Sequence, residues 1–218
     1  MKTVWHRFIG PLTPGVRLIM LILAVAGLTA LIGVFSHTYD LYRWLALDGP
    51  RFWHGWVWTL ITYALLPATL WDFLFNWILI LFIGVWLERV WTRWELWSCC
   101  LLAVLAVGLL KVVIQPASPR LIVGTAPVVF GLLAAWGRLF PYEKILFWFI
   151  WEMTARQAAI LMIVIGFVIM LPCAGLVNAG IMLGGVPAGL CFVWLRGKMV
   201  RRGDSRVVSS ERMGRLEL

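Results

Sequence analysis

Histidine and carboxylate are what this chain has least of. Only His6, His37 and His54 occur among its 218 residues, and Asp and Glu together number 10, so acid–base or metal chemistry has few side chains to use. The four cysteines, Cys99, Cys100, Cys173 and Cys191, form no C-x-x-C pair and sit in or beside apolar runs, where a thiol serves as small apolar filler. We expect no metal and no cofactor. Charged residues make up 13% of the chain against 62% hydrophobic, far outside the soluble range. No polar stretch is long enough to form a separate soluble domain.

What fills the chain is apolar runs of membrane-spanning length. We read six: Leu18 to Phe35, Leu70 to Glu88, about Leu96 to Ile114, a fourth run from Leu121 to Trp136, one anchored on Ala158 to Leu171, and one from Asn178 onward. The domain is expected over residues 18–195, with a short flank at 1–17 and a basic tail at 196–218. Ala24-Val25-Ala26 looks like a signal-peptidase site, but the apolar run continues past it and a span is the better reading. Ser36 to Thr69 carries Trp44, Trp53, Trp56 and Trp58 beside Arg43 and Arg51, the composition of a loop lying in the membrane interface. Lys111 is expected to snorkel its ammonium outward, and Phe147 to Trp151 to form an aromatic patch at the inner interface.

With the N-terminus inside, fifteen of the 19 basic residues fall on the inner side, and only Arg43, Arg51, Lys111 and Arg120 fall outside. That asymmetry satisfies the positive-inside rule. It also accounts for the formal charge of +9 without a nucleic-acid partner. We expect a multi-pass protein with both termini cytoplasmic, in a bacterial inner membrane.

Three blocks carry more specific information. Val123 to Pro141 reads V-G-T-A-P-V-V-F-G-L-L-A-A-W-G-R-L-F-P. Trp58 to Pro67 reads W-T-L-I-T-Y-A-L-L-P and leads into L-W-D-F-L-F-N-W-I-L-I-L-F-I-G-V-W-L-E from Leu70 to Glu88. Asn178 to Leu190 reads N-A-G-I-M-L-G-G-V-P-A-G-L. Over Trp58 to Leu195 the chain resembles the rhomboid intramembrane serine proteases, whose patterns are W-x-L-x-T-Y-x-x-x-H, H-x-L-F-N, G-x-S-G-x-x-F-G and A-H-x-x-H-L-G-G-x-x-A-G-L. Asn76, Gly84, Glu88, Gly124, Phe130, Gly131, Leu183, Gly184, Gly185, Ala188 and Gly189 match. The chemistry does not. Ala126 stands at the serine nucleophile, Met182 at the catalytic histidine and Asp72 at the histidine of the second span, while Pro67 and Ala179 replace two further histidines and Pro127 the glycine after the serine.

The resemblance implies an all-α bundle of six transmembrane helices, with Gly131, Gly184, Gly185 and Gly189 as close-packing positions. It further implies a pseudoprotease that binds transmembrane segments of client proteins without cleaving them. Candidate client-binding residues are Asn76, Gly124, Thr125 and Phe73. An intramembrane protease with an atypical site is the alternative. A transporter or channel is disfavoured, because no pair of broken helices is evident. Several bland roles compete: Thr69-x-x-Asp72 resembles a capping box, Thr125 and Ser118 suit helix-start capping and loop solvation, and Asn76 suits interhelical hydrogen bonding. The shortness of the fourth run suggests that the bundle thins the bilayer around it.

Overall fold

A computed structural model describes residues 14–35, 40–147 and 151–198. The initial flank, most of the basic tail, and His6 and His37 lie outside the described residues. Helix α1 (Pro14–Phe35) is followed by short helices α2 (Asp40–Leu45), α3 (Gly49–Trp53) and α4 (Thr59–Thr62). Then come α5 (Leu70–Leu87), α6 (Arg93–Ile114) and α7 (Ala126–Leu139). The helix that begins at Ala155 is broken at Gly175, whose φ of 76° only glycine adopts readily. It gives two spans, α8 (Ala155–Pro172) and α9 (Ala174–Lys198).

Four helices, α5, α6, α8 and α9, are long and apolar enough to cross a membrane, and the apolar stretches Gly15–Thr29 and Ala126–Leu139 complete the bundle. Their outward faces are apolar too, with Ile78, Val113, Val164, Ile169 and Leu176 exposed. A surface of that kind needs hydrocarbon rather than water as its solvent. The protein is an all-helical integral membrane bundle with one addition that the sequence reading lacked. Strands β1 (Lys144–Phe147) and β2 (Trp151–Thr154) pair antiparallel, so part of the aromatic patch is a small hairpin ahead of α8.

Local chemistry sets the helix ends. Thr92 and Glu95 form a full capping box at α6, and Thr154 and Gln157 another at α8, each satisfying two otherwise orphaned amides. α7 lies at the centre, buried from Ala126 through Gly137. Its 14 residues rise only ~21 Å. α8 runs back along it, with Ala159 against Gly137 and Phe130 against Gly166, and α9 then returns parallel to it. α5 packs on its other side through Phe82 and Trp86, which meet Trp136 edge-on.

The bundle thus has two ends. The Asp72 end gathers the starts of α5, α7 and α9 and the close of α6. The Arg89 end gathers Arg17, Arg93, Arg138, Arg156 and Arg196.

Candidate functional site

The glycine seam between α7 and α9 fixes the site. A β-carbon on Gly185 would run into the Pro127 carbonyl, and one on Gly189 into the Gly131 carbonyl. The two backbones are therefore in contact, as small residues allow inside a bilayer. A β-carbon on Gly131 would also come within 2.9 Å of Ala103 Cβ, so α6 closes on the same spot, and Gly184 faces Leu110 and Val107 of α6 rather than α7. Since Gly185 lies over Pro127 and Gly189 over Gly131, Met182, one turn earlier, comes level with Gly124. Ala126 and Met182 are 4% and 2% exposed.

Gly124 itself has φ 127°, and its N–H donates to the Tyr63 carbonyl at 3.1 Å. Tyr63 is fully buried and its hydroxyl donates to the Val104 carbonyl at 2.8 Å. This residue holds the approach to α7 against α6, a role that the sequence reading did not assign. Its only signal was the shared T-Y pair of the second motif. The approach is fixed further by a bridge in which Leu47 and Ile122 exchange backbone hydrogen bonds of 3.1 and 2.9 Å.

Asp72 lies beside Gly124. Its backbone N–H donates to Thr69 Oγ1 at 3.1 Å, so Thr69 caps α5 as expected. The return bond of a capping box is displaced, because Asp72 Oδ2 accepts from the Ala68 amide at 3.3 Å. Oδ1 accepts from Asn76 Nδ2 at 2.8 Å. Asn76 is 7% exposed, and its amide nitrogen bonds to a side chain of its own helix, not to a neighbouring helix as the interhelical reading expects. The i, i+4 spacing supplies the reason, since it stacks the two side chains on one helix face.

Three further expectations change. Thr125 is buried at the start of α7 without a side-chain capping bond; with φ −81° and ψ 0° its backbone is outside the extended region usual for a cap. Phe73 packs on Gly27 of α1, whereas Trp71 and Phe75, 80% and 55% exposed, are open to the outside. Lys111 does not snorkel. It is 0% exposed, and its ammonium donates to Gln115 Oε1 at 2.6 Å and to Asn178 Oδ1 at 3.4 Å. Two amide oxygens, one of them from α9, take the place of water around its ammonium. Ser118 Oγ accepts from the Arg120 amide within its loop.

At the positions where the resemblance implies serine, histidine and a hydrogen-bond donor, the chain therefore carries a methyl group, a thioether and a carboxylate. Pro127, in the first turn of α7, brings no N–H. Pro67 is buried just before α5. Among the described residues no group of three or more His, Cys, Asp or Glu could hold a metal ion.

The Rhomboid domain matches residues 54–199 of the chain. The chain belongs to the rhomboid family. No curated protein matches it. The matched segment of this rhomboid-family protein begins at His54 and spans α4 through α9, and so includes the α7–α9 seam, Asp72 and Asn76.

Proposed function

We propose that this rhomboid-family protein is a pseudoprotease that binds transmembrane segments of client membrane proteins without cutting them. The observation that carries the reading is a joint replacement on three helices: Ala126 on α7, Met182 on α9 and Asp72 on α5, at positions where the resemblance implies nucleophile, base and donor. A serine hydroxyl needs an adjacent base to become a nucleophile. Each oxyanion donor is commonly worth ~3 to 4 kcal/mol, whereas an ionised Asp72 would repel the developing charge.

The binding side is the gap between α5 and α8, helices that share almost no contacts and turn apolar faces outward. Both have 18 residues, about 27 Å of rise against a hydrocarbon core of ~30 Å. α6 has 22 residues and α9 has 25. The short α7 is walled in by protein, so any thinning of the bilayer is set by the helices around it. Mismatch falls instead on the α5–α8 side, where a client helix weakened by Gly, Pro or a polar residue would lose hydrocarbon cover at its end.

Reaction chemistry tests the reading. A fluorophosphonate probe should leave the protein unlabelled, and Ala126→Ser with Met182→His should stay unlabelled while Asp72 and Pro127 remain; robust labelling of the unmodified protein overturns the proposal. The same reading puts the Arg89 end and both termini in the cytoplasm of a bacterial cell, by the charge asymmetry. Reporters fused after Ser118 and after Val200 should then read outside and inside, and the reverse pattern would refute that orientation.

A further inference from the structure

We infer that Asp72 is an acceptor for a basic side chain, so that the clients fitting this bundle carry a lysine or arginine in the transmembrane turn nearest the Asp72 end. This inference deepens the client-binding reading and rests on it. Among the described residues, the other partly or fully buried acids are each met by a positive group. Asp48 has Arg51 Nε at 3.6 Å, and Glu95 has Arg196 Nε at 2.5 Å. Glu88 accepts from the Val16 amide at 3.1 Å, at the positive start of α1. Asp72 has no cationic partner among the described residues. Its two hydrogen bonds, from Asn76 and Ala68, occupy half of the roughly four lone-pair directions of a carboxylate.

Leaving aside its chain neighbours, Gly124 has a single described heavy atom within 4 Å of where its β-carbon would stand, Asp72 Oδ2 at 3.8 Å. A β-carbon at this position would therefore sit in ordinary van der Waals contact with the carboxylate and with no other non-adjacent group. Ionisable groups at membrane depth normally pair with one another or line a pathway, and a client ammonium in lipid carries the complementary need. The four-carbon stem of lysine lets its charge reach inward while the client backbone stays outside α5.

Phe75→benzoylphenylalanine in the full chain, reconstituted in proteoliposomes, reads this out. Two synthetic single-span peptides are compared, each with one Gly in its outer turn, one bearing Lys beside it and the other Gln. The Lys peptide should crosslink about tenfold more than the Gln peptide, which corresponds to about 1.4 kcal/mol. In Asp72→Asn the advantage should shrink to within about twofold, while capture of the Gln peptide stays unchanged and certifies the fold. A Lys advantage that survives Asp72→Asn, or equal capture of both peptides by the unaltered acid, overturns the inference and leaves client binding intact. Failure to capture either peptide overturns both.

Discussion

α9 and α5 both lie against the central helix α7, and they are held there in opposite ways. α9 is locked by backbone contact at Gly185 and Gly189 and pinned at both ends, by Lys111 to Asn178 and by Glu95 to Arg196. α5 touches α7 through aromatic side chains, packs its other flank on α1, and leaves Ile78 and Phe75 outward. Binding a client does not require the catalytic pair to meet, but it does require one side of the bundle to yield. The locked helix carries Gly184, Gly185 and Gly189, and α5 carries Asp72 and Asn76.

The strongest way to break the comparison is to force the locked seam. In Gly189→Leu the new side chain meets the Gly131 backbone, which cannot swing aside as a rotamer would. We expect a loss of at least about 3 kcal/mol, the upper end of ordinary overpacking costs, seen as the loss of a cooperative thermal transition in detergent. Ile78→Ala on the outward face of α5 should stay within about 0.5 kcal/mol. Comparable losses in the two variants would show that α5 is as tightly held as α9.

A smaller effect sharpens the other flank, where α5 meets α1. Burial raises the Glu88 carboxyl above its ordinary value of 4.5, against the lowering pull of the Val16 and Gly15 amides. The folded state then holds more protons than the unfolded chain between that value and the raised one. Stability is fully present below the window and declines as pH climbs through it. Thermal unfolding followed from about pH 4 to about pH 7 should show that decline, flattened in Glu88→Gln, which keeps an acceptor for the Val16 amide. An unaltered slope in the variant would assign the titration elsewhere.

Much of this architecture was legible in the sequence where it depends on local composition. The second span was read as Leu70 to Glu88 and is found at Leu70–Leu87, because Thr69 marks its start and a charge its end. The fourth run was placed to begin at Leu121, yet α7 starts at Ala126. Leu121 to Val123 is apolar but not helical, bridged through Ile122 to Leu47, and apolar character alone does not separate a short extended segment from a helix turn. The hairpin at Lys144–Phe147 and Trp151–Thr154 was missed for the same reason, since its aromatics also fit an interfacial patch. Partners were harder still. Lys111 meets Asn178 across 67 residues of chain, and no local rule points from one to the other. The glycine contacts were found only because the resemblance singled out those glycines.

Lateral capture without cleavage is the claim on which the account stands, and crosslinking tests it directly. Benzoylphenylalanine is placed at Phe75 or at Trp97 of the full chain, and a labelled single-span client with Gly-Pro in its outer turn is supplied in proteoliposomes. The account predicts that the client is captured at full length from Phe75 and not from Trp97, and that restoring a strong helical outer turn abolishes capture. Equal capture from both positions, or the appearance of a shortened client, would contradict it.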